Sequence, residues 1–165
     1  MKYTVTLQSL PTNLEELKAL PQASLKNPED TVALTVAALC VYPKDKDASI
    51  EMLNYLRGPR PISPMENQFI RDRFMDGRDY IPFSYFKGAT PENGYTPDVP
   101  YVIEVSDSAS QMADTGYKKF DLKSGGADSM RNVTLRLKPS TGEWFLWDQM
   151  LLGQIRIPVS QDPWA

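Results

Sequence analysis

The sequence predicts an α+β fold in which about four N-terminal helices pack on a C-terminal antiparallel sheet of about five strands. Apolar residues recur at helical spacing up to about residue 77, and short alternating runs bounded by turn residues follow from residue 101. Residues 78–100 between them are rich in proline and aromatic side chains. Because helices come first and strands later, we expect one α+β domain over residues 1–165, with a helical part (1–77), a coat (78–100) and a β part (101–165).

Helix-capping patterns define the helical part. Asn27 precedes a proline and two acidic residues, and Ser63 stands three residues before Glu66, which are N-terminal signals. The four predicted helices run from Thr12 to about Leu20, from Pro28 to Val41, from Asp45 or Asp47 to Arg57, and from Pro64 to about Asp76. The second is apolar nearly all round, so we expect it to be central, with Cys40 as a small buried hydrophobe.

The coat follows from its composition. Seven of the 14 prolines lie between Gly58 and Pro100, and proline removes a backbone donor, so this stretch should hold little regular sheet. Five aromatic residues within 16 positions cannot all face water. We therefore expect an ordered layer over the helices, with Tyr85 as a candidate ligand-binding residue within it.

Alternation predicts the strands of the β part, namely Tyr101–Val105, Tyr117–Leu122, Asn132–Lys138, Glu143–Gln149 and Ile155–Val159, and residues 3–7 alternate in the same way. A four-residue loop at 139–142 would pair Lys138 with Glu143 as opposite charges. That register turns Leu135, Leu137, Trp144 and Leu146 toward the core, and Thr134, Arg136, Phe145 and Trp147 toward the other face.

Composition and charge exclude several kinds of site. The chain has no histidine and one cysteine, which excludes histidine-dependent catalytic triads, an internal disulfide and a cysteine zinc site, and we predict no metal and no cofactor. The net charge of -3 and the interleaved acids argue against a nucleic-acid partner. No apolar stretch approaches the roughly 18 residues of a membrane span, and the first residues lack a secretory core. We therefore expect no membrane partner and a cytoplasmic location.

Three features are candidate sites. On a helical wheel, Arg73 falls near the centre of an apolar arc, so it either pairs with protein acceptors or presents its charge to an anionic ligand. Arg136 lies diagonal to Trp147 on the second hairpin face, which is either covered by helices or is a stacking surface. The loop 124–129 contains two glycines but no phosphate-loop pattern, and a plain hairpin loop is the better interpretation.

Several strings in the chain are distinctive: GPRPISP at 58–64, FIRDRFMDG at 69–77, GATPENGYTP at 88–97 and RLKPSTGEWFLWDQ at 136–149. With them the chain resembles an uncharacterised family of bacterial proteins classed as a domain of unknown function. The resemblance covers nearly the whole chain and implies one compact domain. It implies no activity, cofactor or catalytic residue.

The favoured hypothesis for function is a non-catalytic binding or interaction module for a small molecule or a protein partner. It depends on the concentration of aromatic and arginine residues in the coat and on the hairpin, with Arg73, Tyr85, Arg136 and Trp147 as candidate ligand-binding residues. The alternative is a small enzyme that uses carboxylates and arginine on a sugar or phosphate ester. A buried acid pair in a cleft would favour the enzyme, and an aromatic surface would favour the module.

Overall fold

The structure is a computed structural model that describes residues 1–165. The helices lie in the first half of the chain, and four of the five strands lie in the second half. The helices are α1 (Leu14–Lys18), α2 (Pro28–Val41), α3 (Lys46–Arg57) and α4 (Pro64–Arg73), and the strands are β1 (Lys2–Leu7), β2 (Tyr101–Asp107), β3 (Tyr117–Leu122), β4 (Arg131–Lys138) and β5 (Glu143–Gln149). The α+β class, the four helices and the five-stranded antiparallel sheet agree with the sequence prediction. None of the helices is long and apolar enough to cross a lipid bilayer.

The central helix is α2, as its uniform apolar character predicts. Eleven of its residues are buried, including Cys40, and burial raises the pKa of the Cys40 thiol well above its ordinary value. The Thr31 hydroxyl donates to the Trp144 carbonyl at 2.8 Å, which ties α2 to the sheet. The helix lies against α3 on one side and β5 on the other, so it links the two halves of the molecule.

The sheet is a meander in the order β1-β2-β3-β4-β5, with every neighbouring pair antiparallel. The strand that brings the sheet to five is the N-terminal β1, which pairs with β2 from Lys2–Ser106 to Leu7–Tyr101. The prediction of a strand at Ile155–Val159 was wrong. Pro158 has no N–H to donate, and the Ile155 and Arg156 carbonyls accept hydrogen bonds from the hydroxyls of Tyr80 and Tyr95 instead of entering a ladder.

Two helix ends also differ from the predictions. The N-cap of α1 is Asn13 rather than Thr12, because Asn13 Oδ1 accepts the Glu16 N–H at 2.9 Å. Helix α4 ends at Arg73, three residues before the predicted end, because Asp76 and Gly77 both adopt positive φ.

Residues 78–100 form two short 3-10 turns, Pro82–Tyr85 and Pro91–Asn93, joined by irregular chain. The first turn packs on α2, whereas the Lys87 N–H donates to the Val102 carbonyl of β2, so the segment covers the helices only in part. The rings of Tyr80 and Tyr95 stack with centroids 5.3 Å apart, and Phe86 packs edge-on against Tyr101. Six apolar side chains of this segment belong to the core: Tyr80, Ile81, Tyr85, Phe86, Ala89 and Tyr95.

Candidate functional site

The β4–β5 hairpin has the predicted register near its turn, with Lys138 opposite Glu143 and Leu135 opposite Leu146. Between Leu135 and Thr134 the register shifts, so Thr134 faces Asp148 and Trp147 is left as the extra residue of a β-bulge. The predicted register would pair Thr134 with Trp147, and the bulge replaces that pair with Thr134 and Asp148. Trp147 still lies on the predicted face, because its indole packs against Tyr117 and the Arg136 guanidinium. The Trp147 carbonyl accepts a hydrogen bond from Arg60 Nη2, so the side chain of a loop residue satisfies the backbone acceptor of the bulged residue.

Two guanidinium groups lie against the Trp147 indole. The guanidinium carbon of Arg60 is 3.8 Å from the ring centroid, and that of Arg136 is 4.8 Å away. Tyr117 packs edge-on against the same indole and is also covered by Arg136 at 5.3 Å. Stacking holds a guanidinium by its face and leaves its N–H edge free for an anion.

Gly58 decides what covers the second face of the hairpin. It follows α3 with φ +62° and ψ -119°, and the Phe145 ring lies only 2.5 Å from where a Cβ atom would stand. Only glycine allows the chain to cross Phe145 at this distance. The second face is therefore covered by the loop Gly58–Arg60 rather than by helices alone, and this cover is partial.

The space beside this loop is a cavity of about 350 Å³, here called the Trp147 cavity, lined by Pro59, Arg60, Arg136, Lys138, Phe145 and Trp147 among others. Four lining residues are cationic, because Arg57 also reaches it, and none is a carboxylate. Arg60, Arg136 and Lys138 form no ion pair, and Lys138 and Glu143 are not within ion-pair distance. A chain of net charge -3 thus concentrates unpaired positive charge at one concave site.

The buried cation of the molecule is Arg57, which sequence reasoning did not single out. Its side chain is 5% exposed, its Nε donates to the Arg60 carbonyl at 2.9 Å, and its Nη2 lies 2.8 Å from Glu66 Oε2. No acceptor lies in line with the N–H bonds of Nη2, so this contact is an ion pair without a well-directed hydrogen bond. Arg57 stands four residues after Leu53 on the apolar face of α3, a spacing that would have indicated burial.

The pKa values of this pair shift for opposing reasons. Burial lowers the pKa of Arg57, and the Glu66 charge opposes that effect. Burial raises the pKa of Glu66, but hydrogen bonds from Ser63 and the charges of Arg57 and Arg60 outweigh it, so the net pKa is below the ordinary value. Glu66 also closes the predicted capping box with Ser63 and therefore serves both α4 and Arg57.

Arg73 does not occupy the middle of a buried helix face. Ile70 and Phe74 are buried, but Met65 and Phe69 on the opposite edge of the expected arc are exposed, so α4 packs by one side only. The Arg73 guanidinium carbon lies 4.7 Å from the Phe69 ring centroid and has no protein acceptor. The expected pairing with a carboxylate or with coat carbonyls is absent.

Tyr85 lies inside the core, away from the Trp147 cavity. It is 4% exposed, its hydroxyl donates to the Leu151 carbonyl, and burial raises its pKa far above the ordinary value. Of the four candidate residues, the structure brings together Arg136 and Trp147 and places Arg73 and Tyr85 elsewhere.

The glycine loop 124–129 is the plain hairpin connection that the sequence favoured. The N–H of Gly125 donates to the Ser84 carbonyl and that of Gly126 to the Ser124 hydroxyl. A Cβ atom at Gly126 would lie 2.0 Å from the Tyr95 hydroxyl, so close packing on the coat requires the glycine.

Comparison with known proteins places the chain in a family. The family model described as Domain of unknown function (DUF6935) matches residues 9–159. The chain belongs to this family. No curated protein and no solved structure shows significant similarity to the chain.

The DUF6935 match spans α1–α4, the coat and the sheet from β2 onward, and so includes every residue of the Trp147 cavity named above. Sequence reasoning missed Arg57 and Arg60 in this DUF6935 chain. Arg60 lies in a loop, where no periodicity indicates what it contacts, and its position becomes evident only when the bulge at Trp147 is known.

Proposed function

We propose that this domain is a binding module whose Trp147 cavity takes a small anion, a phosphate or a carboxylate, attached to a flat apolar group. The observation that carries the proposal is the presence of three unpaired cations, Arg60, Arg136 and Lys138, around an aromatic platform with no lining carboxylate. Guanidinium edges suit the planar and tetrahedral oxygens of such anions, because several N–H groups bind at once.

The shape of the cavity supports a small molecule rather than a flat protein partner. Its volume of about 350 Å³ lies within the range of ligand pockets and exceeds what a lone phosphate needs. The remaining walls are apolar and include Pro59, Pro139 and Phe145, which suits a flat ring beside the anionic group.

The alternative of a carboxylate enzyme finds no support at this cavity. General acid catalysis requires a carboxyl group with a raised pKa within reach of the bound molecule. The carboxyl group with a raised pKa is Asp30, raised mainly by burial, and it lies in the first turn of α2 and does not line the cavity.

Isothermal titration calorimetry with phenyl phosphate tests the proposal. We expect saturable binding, with phenol not binding measurably because it lacks the anion. Arg136→Gln should weaken binding about tenfold, the loss of one charge-assisted contact of about 1.5 kcal/mol. The matched control is Arg71→Gln, which removes the same charge from an exposed residue that lines none of the larger cavities. Equal weakening by both variants, or no binding by the wild type, would contradict the proposal.

A further inference from the structure

The largest cavity of the molecule, about 610 Å³, lies apart from the Trp147 cavity, with which it shares no lining residue. It opens between the end of α4, the β3–β4 loop and the segment that follows β5. We call it the arginine cavity, because Arg73, Arg78, Arg131 and Arg156 line it, with Asp128 as the one lining carboxylate.

Two of the four arginines are held in place by backbone carbonyls. Arg131 Nη2 donates to the Gln154 carbonyl at 2.7 Å and Nη1 to the Ser129 carbonyl at 3.0 Å. Arg78 Nε donates to the Met75 carbonyl at 2.7 Å. Carbonyl acceptors orient a guanidinium without neutralising it. Arg78 Nη2 also lies 3.9 Å from Asp76 Oδ2, which does not line the cavity, and because the Asp76 side chain is 86% exposed this ion pair is weak.

The other two arginines differ in what balances them. Arg156 Nη1 lies 3.1 Å from Asp128 Oδ1, and both side chains are exposed, so this ion pair is weak. Arg73 has neither a carboxylate nor a carbonyl acceptor and is held only against the Phe69 ring. The lining therefore has a net charge of about +3 in a chain of net charge -3.

We infer that the arginine cavity binds a compact, multiply charged anion, a diphosphate or triphosphate group. Several guanidinium forks from different elements can contact separate phosphate oxygens, and the volume accommodates more than one phosphate. The side chains would provide this binding, because the N–H groups of Gly125 and Gly126 are already used within the protein.

Calorimetric titration with inorganic triphosphate at low ionic strength tests the inference. We expect saturable binding that weakens as salt is added. Arg73→Gln should weaken it about tenfold, with Arg71→Gln on the same helix as the charge-matched control that stays within twofold. Since Arg156 is exposed, Arg156→Gln gives a second variant in which folding is not at risk, and it should also weaken binding.

Asp128→Asn provides the opposite test. It removes the one lining carboxylate and releases Arg156, and Asp128 is fully exposed, so binding should tighten severalfold in a normally folded protein. Because the Trp147 cavity is itself proposed to take a phosphate, the Arg73→Gln titration is repeated in an Arg136→Gln background, where the tenfold loss should persist.

Titration with metal-free ATP distinguishes two sources of the same group. Tighter binding of ATP, still sensitive to Arg73→Gln, indicates a nucleotide, and equal affinity indicates the phosphate chain alone. Absence of triphosphate binding, equal weakening by Arg71→Gln, or loss of the Arg73→Gln effect in the Arg136→Gln background would overturn the inference.

Discussion

Glu66 and Arg57 form an asymmetric ion pair, because the Arg57 side chain is buried and that of Glu66 is 39% exposed. Removing the carboxylate leaves a buried charge unpaired, and removing the arginine leaves a carboxylate that water can reach. Loss of the Glu66 carboxylate should therefore lower the stability of the fold more than its exposure alone indicates.

We predict that Glu66→Gln lowers the free energy of unfolding by about 2 kcal/mol, less than for a fully buried pair because solvent screens Glu66. Glutamine can still close the capping box, so the loss reports on the ion pair. Urea denaturation measures it, and Glu51→Gln on the exposed side of α3 should change stability by less than about 0.5 kcal/mol. Equal losses in the two variants would show that Arg57 is satisfied without Glu66.

The contribution of the Glu66 carboxylate to stability decreases as the pH falls. Because the folded pKa of Glu66 lies below its ordinary value of 4.5, its contribution is complete above about pH 4.5 and is lost as the pH falls through the folded pKa. The stability difference between wild type and Glu66→Gln should therefore shrink on acidification.

The close contact between Gly58 and Phe145 leads to a second prediction about a single residue. Gly58→Ala places a methyl group against Phe145 at a positive φ, so strain and overpacking together should cost about 2–4 kcal/mol. Gly77→Ala is the matched control, because Gly77 has φ +72° with no atom within 4 Å of the added carbon, and strain alone should cost about 1 kcal/mol. Thermal or urea unfolding of both variants measures the difference, and equal costs would mean that the loop does not press on Phe145.

At the scale of elements, the end of the β4–β5 hairpin extends beyond the core. Leu135 and Leu146 are fully buried, but Leu137 is only partly buried, although the sequence pattern predicted that all three point inward. The period of two identifies the face of a strand but does not show where the covering helices end.

We therefore predict that Leu135→Ala costs roughly 2–5 kcal/mol and that Leu137→Ala costs clearly less. Lys138→Ala should cost well under 1 kcal/mol, because it forms no ion pair with Glu143. Equilibrium urea denaturation of the three variants gives the order. A larger loss for Leu137→Ala than for Leu135→Ala would contradict the conclusion that the end of the hairpin extends beyond the core.

Local signals predicted most of the elements, and long-range pairing limited the rest. Capping residues placed α2 and α4, and the opposite charges of Lys138 and Glu143 indicated the hairpin register although the two side chains form no ion pair. Strand β1 completes the sheet by pairing with β2, about a hundred residues further along the chain. No local pattern contains such a pairing, so the sequence could not show that β1, rather than the segment 155–159, completes the sheet.

The same limit applies to the candidate site. Arg136 and Trp147 were predictable from alternation along the hairpin, but the bulge that leaves Trp147 unpaired is a property of two strands together. Arg60 joins them only through tertiary structure.

At the scale of the whole molecule, helices, coat and sheet contribute to one cluster of 37 buried apolar residues. We predict that residues 1–165 unfold as a single domain in one cooperative transition. Far-ultraviolet circular dichroism follows the helices, and tryptophan fluorescence follows Trp144 and Trp147 on β5. The two urea transitions should coincide, and separate midpoints would indicate that the helical part and the sheet are independent.

Charge also has a pattern across the whole molecule. Although the chain is acidic overall, arginines without a close ion-pair partner line two concave sites, the Trp147 cavity and the arginine cavity. The Trp147 cavity is the most specific of these, since a bulge, a glycine and two stacked guanidinium groups together form it.

The most direct test is an ¹H–¹⁵N NMR titration with phenyl phosphate that follows the Trp147 indole N–H and the Arg60 and Arg136 Nε–H signals. We predict that these three signals shift together and saturate with one dissociation constant, and that the Trp164 indole, 92% exposed near the chain end, does not move. Unchanged Trp147 and Arg136 signals at saturating phenyl phosphate, or shifts of equal size at Trp164, would contradict binding at the Trp147 cavity.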